Sequence, residues 1–210
     1  GAQWALEGLA FSVFLIFIGR MPEGNAALAA SSIVVTIMML SILPAMGVAQ
    51  ATSVLMGQFI GEKKPDQAER AVWAGWQVTI IYIAAIGSTF LLFPTFYMNW
   101  FKNKDNAALW AQVSVMVPYL LMFITAFTAT DSVNMIFSFS LKGAGDTKFV
   151  TTAALILPWP LMVIPSFFLI KLQHGLYLAW GAAAVFSIIQ ATIFWRRFVG
   201  GKWKNMSVIG

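Results

Sequence analysis

The stretch Thr128–Thr147, TATDSVNMIFSFSLKGAGDT, decides how this chain is read, because it sets one carboxylate, Asp131, inside an otherwise membrane-grade apolar segment. An ionised side chain at the centre of a bilayer costs roughly 2.5–3.5 kcal/mol on insertion scales, so an intramembrane Asp is a functional-site candidate by default. On a helix, Phe127, Asp131, Asn134 and Ser138 share one face, a stripe of oxygen-bearing side chains with an aromatic at its outer end. Such a face suits water, an ion or a partner helix.

The surrounding chain is 60% hydrophobic and only 10% charged, against about 25% charged in a soluble domain. The charges cluster: none falls within residues 24–61, 71–101, 106–130, 149–170 or 172–195. Each gap accommodates at least one helix of about 20 residues across a hydrocarbon core of roughly 30 Å. The chain therefore reads as an all-α polytopic membrane protein, a lobe of six transmembrane helices at about residues 1–21, 25–60, 66–93, 119–141, 149–170 and 176–198.

Particular residues shape these spans. The second would be about 54 Å long as continuous helix, and Pro44 removes a donor in its middle, so a tilted or kinked helix is expected there. Gly47 and Ala51 have the small-residue spacing that suits close helix packing. Pro65 suits a first helical turn, and Asp66 and Glu69 favour the positive end of the helix dipole. Residues 94–101 read as an interfacial piece, with Tyr97, Trp100 and Phe101 at headgroup level. Pro118 marks a break between an amphipathic lead-in and the span carrying Asp131. Gly143 and Gly145 stop that span, and Asp146 is placed to cap the next. Pro158, Pro160 and Pro165 bend the fifth span, and the tail from Arg196 to Lys204 is basic. The sequon Asn205–Ser207 reads as a chance match. Gly1 opens inside an apolar run without an initiator Met or a basic n-region, which points to a piece of a longer protein and not to a signal peptide.

Orientation follows from Lys and Arg. With six spans and the N-terminal end inside, inner segments hold nine of the 13 basic residues: Lys63, Lys64, Arg70, Lys142, Lys148, Arg196, Arg197, Lys202 and Lys204. Arg20, Lys102, Lys104 and Lys171 are outer, so both ends of the chain are expected in the cytoplasm, in a cell inner membrane. Asp131 then lies 13 residues inward of Pro118, and Glu7, the other carboxylate inside a span, 14 inward of Met21. Both reach about 20 Å below the outer boundary at 1.5 Å per residue.

Burial penalises the charged form of a carboxylate and a nearby cation favours it, so two such groups at one level can exchange H⁺ or Na⁺ against a cationic substrate. The plainer reading makes Asp131 and Glu7 hydrogen-bond anchors between helices. Thr128, Thr130, Asn134 and Ser138 offer the neutral oxygens that hard cations accept; ordinary helix–helix hydrogen bonds explain them equally well. Gln50, Gln58, Gln77 and Gln190 are polar enough to line a cavity.

Other functions lack residues. The net charge of +5 sits at span ends without stacking aromatics, so no nucleic-acid partner is expected. Cysteine is absent, and His174 is the single histidine, so neither a disulfide framework nor a metal centre is indicated. No His-Glu-x-x-His, Gly-x-x-x-x-Gly-Lys or Gly-x-Ser-x-Gly occurs, which leaves no enzymatic or ATP-driven reading and no cofactor beyond a coupling ion.

Asp131 followed by Gly143 inside Leu141–Thr147 resembles the tenth-helix signature of the multidrug and toxic compound extrusion (MATE) family. Gly57-Gln58 leading to Gly61, Pro65, Ala68 and Ala71 resembles that family's eighth helix and following loop, and Trp4 to Phe14 with Glu7 its seventh. The resemblance covers essentially the whole chain. It implies the C-terminal half of a twelve-helix antiporter, with the N-terminal lobe absent, exporting organic cations or drugs in exchange for H⁺ or Na⁺ by alternating access. It also implies that Glu7 and Asp131 stand where the family places cation-site carboxylates. Phe127 departs from the pattern, since some sodium-coupled members have Tyr there, which leaves protons open. A lipid or polysaccharide exporter of the same superfamily fold is the alternative within transport, and a non-transporting assembly subunit the alternative outside it.

Overall fold

The computed structural model describes residues 2–102 and 104–206, with side chains from Ala5 onward. The side chain of Trp4 and the sequon residue Ser207 lie outside the described residues. The described chain is helical throughout, without a strand. The long helices are α1 (Ala2–Gly19), α2 (Gly24–Gly61), α3 (Pro65–Leu92), α5 (Ala107–Gly143) and α8 (Gly175–Val199). Between them lie the short α4 (Pro94–Asn99) and a broken span made of α6 (Thr147–Ile156), a π-helical turn at Trp159–Val163 and α7 (Ile164–Leu169). Among the described residues five helical segments are long and apolar enough to cross a membrane: α2, α3, α5, Thr147–Leu169 and α8; Ala5–Gly19 of α1 is a shorter apolar helix. Leu40, Ile81 and Leu92 point outward, as expected where lipid is the solvent.

One expected break is absent. Pro118 does not break the chain: α5 runs unbroken from its cap, where Asn106 Oδ1 accepts from the Leu109 amide at 3.0 Å. An internal proline costs a helix about 3 kcal/mol, and here Val117, Leu120, Leu121 and Ile124 are all fully buried, so packing on both sides of the proline outweighs that cost. α2 likewise continues through Pro44, and the Tyr82 hydroxyl of α3 donates to the Ser41 carbonyl at 2.7 Å beside the proline.

Gly47 and Ala51 are not a packing stripe within this lobe, because both are exposed and a Cβ on Gly47 would meet open space. The close approaches occur elsewhere. Gly75 of α3 lies against Thr52, and Gly143 of α5 against the backbone of Ser53 on α2, with no room for a methyl group at either.

Asp146 stands at the cap position of α6 but makes no capping bond. Its carboxylate accepts instead from Arg197 of α8, at 2.7 Å to Nε and 3.3 Å to Nη2. A two-pronged charge-assisted contact outcompetes one amide bond. The tail is more than basic, since Trp203 is fully buried, donates to the Phe198 carbonyl at 2.8 Å and stacks on the Phe198 ring. It closes an apolar cluster with Val72, Phe137 and Phe194 at the end carrying Lys142, Arg197 and Lys204. The larger cluster, with Phe14, Ile18, Leu120 and Trp180, fills the opposite part of the bundle.

Candidate cation site

Between these two clusters lies a cavity of about 190 Å³. It follows from the helix period: Phe127, Asp131, Asn134, Ser138 and Lys142 recur every three or four residues, so α5 turns all five to one side. That face closes against Glu7 and Phe11 of α1, against Val150 and Ala154 of α6 with Pro158 and Met162 beyond, and against Phe186, Gln190 and Phe194 of α8. The two carboxylates expected at one depth thus line the same cavity from different helices.

A polar chain organises the floor. Asn134 Nδ2 donates to Gln190 Oε1 at 3.2 Å and, at 3.5 Å, faces Asp131 Oδ1. The amide oxygen of Asn134 is buried without a hydrogen-bond partner. An orphaned acceptor costs about 1–3 kcal/mol, which a cation or its water would recover. With the two carboxylates and the Ser138 hydroxyl, whose proton goes to the Met135 carbonyl at 3.3 Å, the cavity presents a set of oxygens suited to a small hard cation.

The remaining residues separate. Phe127 is buried and forms part of the wall. Thr128, next in sequence, does not line the cavity. Its hydroxyl is buried without a partner. Thr130 bonds Ser187 of α8 at 2.7 Å and serves helix packing. Of the four glutamines, Gln190 reaches the cavity, while Gln50, Gln58 and Gln77 are exposed. Lys142 is the residue the sequence reading missed: assigned to a span boundary, it also lines the cavity. Its spacing of eleven from Asp131, three turns on the same face, was the available signal.

A second, larger cavity of about 1020 Å³ opens at the other end of the bundle, among Arg20, Glu23, Lys171 and Tyr177. On α1, Phe11 lines the first cavity and Phe17 the second, with Phe14 between them; on α8, Trp180 stands between Phe186 and Tyr177. Phe14 and Trp180 are fully buried and meet edge to face at 5.2 Å, and Trp180 Nε1 donates to Ser31 at 3.1 Å. An aromatic plug from α1 and α8, tied to α2 through Ser31, therefore divides the two spaces.

Comparison with known proteins gives a consistent family. The MatE family model matches residues 2–168. The chain is 30% identical over 161 residues to a probable multidrug resistance protein NorM of Xanthomonas campestris pv. campestris, covering 77% of this chain and 33% of that protein. It is 24% identical over 212 residues to the probable multidrug resistance protein NorM of Thermotoga maritima, covering 100% of this chain and 44% of that one. Among solved structures, the outward-facing conformation of a multidrug resistance MATE family transporter of the MOP superfamily superposes with a TM-score of 0.84 at 17% identity, over 98% of this chain and 45% of that one. The chain thus spans between a third and a half of the length of these relatives.

Proposed function

The chain belongs to the MatE family, and from that premise we propose that it forms one six-helix lobe of a secondary multidrug antiporter, working together with a second lobe of similar size. The observation that carries the reading is the meeting of Glu7 and Asp131 on one small cavity beside an unsatisfied Asn134 oxygen. Two carboxylates inside a membrane-spanning bundle are expensive to keep ionised, and a cation or a proton relieves the cost. In the proposed cycle H⁺ or Na⁺ from outside loads Glu7 and Asp131 and favours outward release of an organic cation. Loss of the ion to the cytoplasm resets the lobe, by rocking of one lobe against the other. The nine-to-four split of basic residues supports an inner-membrane protein with both ends of this chain cytoplasmic.

The test uses the whole transporter, reconstituted in vesicles with Na⁺ and pH gradients imposed separately. Asp131→Asn is expected to abolish gradient-driven dye efflux while leaving insertion intact. Efflux that stays coupled to either gradient removes Asp131 from the mechanism.

A further inference from the structure

The carboxylate cavity holds a third ionisable group that the cycle above leaves idle. Lys142 stands in the last turn of α5, and its side chain lines the cavity together with Phe139. The ammonium lies 5.7 Å from the centroid of the Phe139 ring. It takes part in none of the three salt bridges among the described residues. The carboxylates of Glu7 and Asp131 line the same cavity. Among the described residues no other charged side chain lines the space: α6, the residues after it and α8 contribute apolar groups and Gln190. Asp146 and Arg197, near the same end, neutralise each other at 2.7 Å.

Resting on the antiport reading, we propose that Lys142 is the built-in counter-ion of this site: its ammonium moves onto Glu7 when the coupling cation leaves and withdraws over Phe139 when the cation binds. The charge count gives this a definite form. Two ionised carboxylates and one ammonium leave a single negative charge, so the cavity takes one monovalent cation. Without the lysine, an empty cavity would hold two uncompensated carboxylates away from bulk water, a costly state. Such a site would bind its cation too tightly to let it go. A lysine that replaces the cation lowers affinity and makes release feasible, which is the step a cycling antiporter needs. The aromatic ring supplies the second resting place, since an ammonium over a ring face is held by about 0.5–2 kcal/mol.

The test measures, in the reconstituted whole transporter, the Na⁺ or H⁺ concentration giving half-maximal efflux together with the maximal rate. Lys142→Met is expected to lower the half-saturating concentration about tenfold, the factor set by roughly 1.4 kcal/mol of charge interaction, while the maximal rate falls. Lys142→Arg, which keeps the charge, is expected to bring the half-saturating concentration back toward the native value. A lysine that merely props the helix would not tighten ion binding. An unchanged half-saturating concentration in Lys142→Met, in a protein where Asp131→Asn abolishes coupling, overturns the counter-ion role alone. Coupling that survives Asp131→Asn removes Asp131 from the site, and efflux by the native transporter that follows neither gradient overturns the antiport reading beneath it. If Lys142→Met does not reach the membrane, the double variant Glu7→Gln/Lys142→Met decides. Its recovery supports the charge pairing, and its continued loss marks a purely structural lysine.

Discussion

Arg197 and Lys204 lie near the same end of the lobe, each pairs with one carboxylate, and their consequences differ through burial. Asp146 is 5% exposed, so Arg197→Met leaves a buried carboxylate uncompensated and is expected to cost about 3–5 kcal/mol. Arg197→Lys, unable to fork, recovers only part of that. Thermal unfolding of the purified transporter measures both, and equal stability of native and Met variants would refute the assignment. Lys204 meets Glu69 at 2.6 Å, but both side chains are 37% exposed, and such pairs contribute roughly 0.2–1 kcal/mol. The hydrogen bond to Glu69 raises the Lys204 pKa above its ordinary value of 10.5. Its contribution is therefore full below that value and fades as pH rises past the folded-state pKa. Lys204→Met should produce a small loss that is constant across neutral pH and smaller in high salt. At this scale the sequence was legible where chemistry is local. Asp131, Asn134 and Ser138 share a face by counting alone, and hydropathy marks Glu7 as out of place. The partner of Asp146 is 51 residues away and the burial of Trp203 depends on α3 and α8, so no count along the chain finds them.

Among the helices, the useful contrast is between glycines with and without a neighbour. Gly143 lets α5 approach the backbone of α2 at Ser53. Alanine there gains up to about 1 kcal/mol of helix propensity but must push two backbones apart, at about 1–3 kcal/mol. Gly143→Ala is therefore expected to destabilise. Gly47→Ala, facing open space in this lobe, should stabilise by about 0.5–1 kcal/mol. Denaturation midpoints of the two variants in the whole transporter check the pair, and a Gly143→Ala protein as stable as native sinks the close-approach argument. Helix identity was readable because apolar stretches longer than 20 residues leave little alternative. Continuity through Pro118 was not, because it depends on Val117, Leu120 and Leu121 finding neighbours on other helices, and a sequence does not display its packing partners.

Taken as a whole, the lobe divides into two groups of helices with the cavity on the seam. α2, α3, α5 and α8 pack chiefly against one another, whereas α1, α6, the π turn and α7 form a smaller group laid alongside. Glu7 and Ala154 belong to the smaller group, and Asp131, Lys142 and Gln190 to the larger. The smaller group also contains Pro158, Pro160 and Pro165 around the π turn, where missing amide donors weaken the helical ladder. Water and ions should therefore reach the carboxylates along this seam more readily than through the dense core of the larger group. The chain has no cysteine, so an introduced thiol is the single one in this lobe. Ala154→Cys, on the cavity wall, is expected to react with a small water-soluble methanethiosulfonate and to be protected when the coupling cation is supplied. Ala49→Cys, fully buried in the apolar cluster near Phe137, should stay silent under the same conditions. Equal reactivity at the two positions, or none at Ala154→Cys in a transporter that still pumps, would mean that the ion takes another route and that the seam is only a packing boundary.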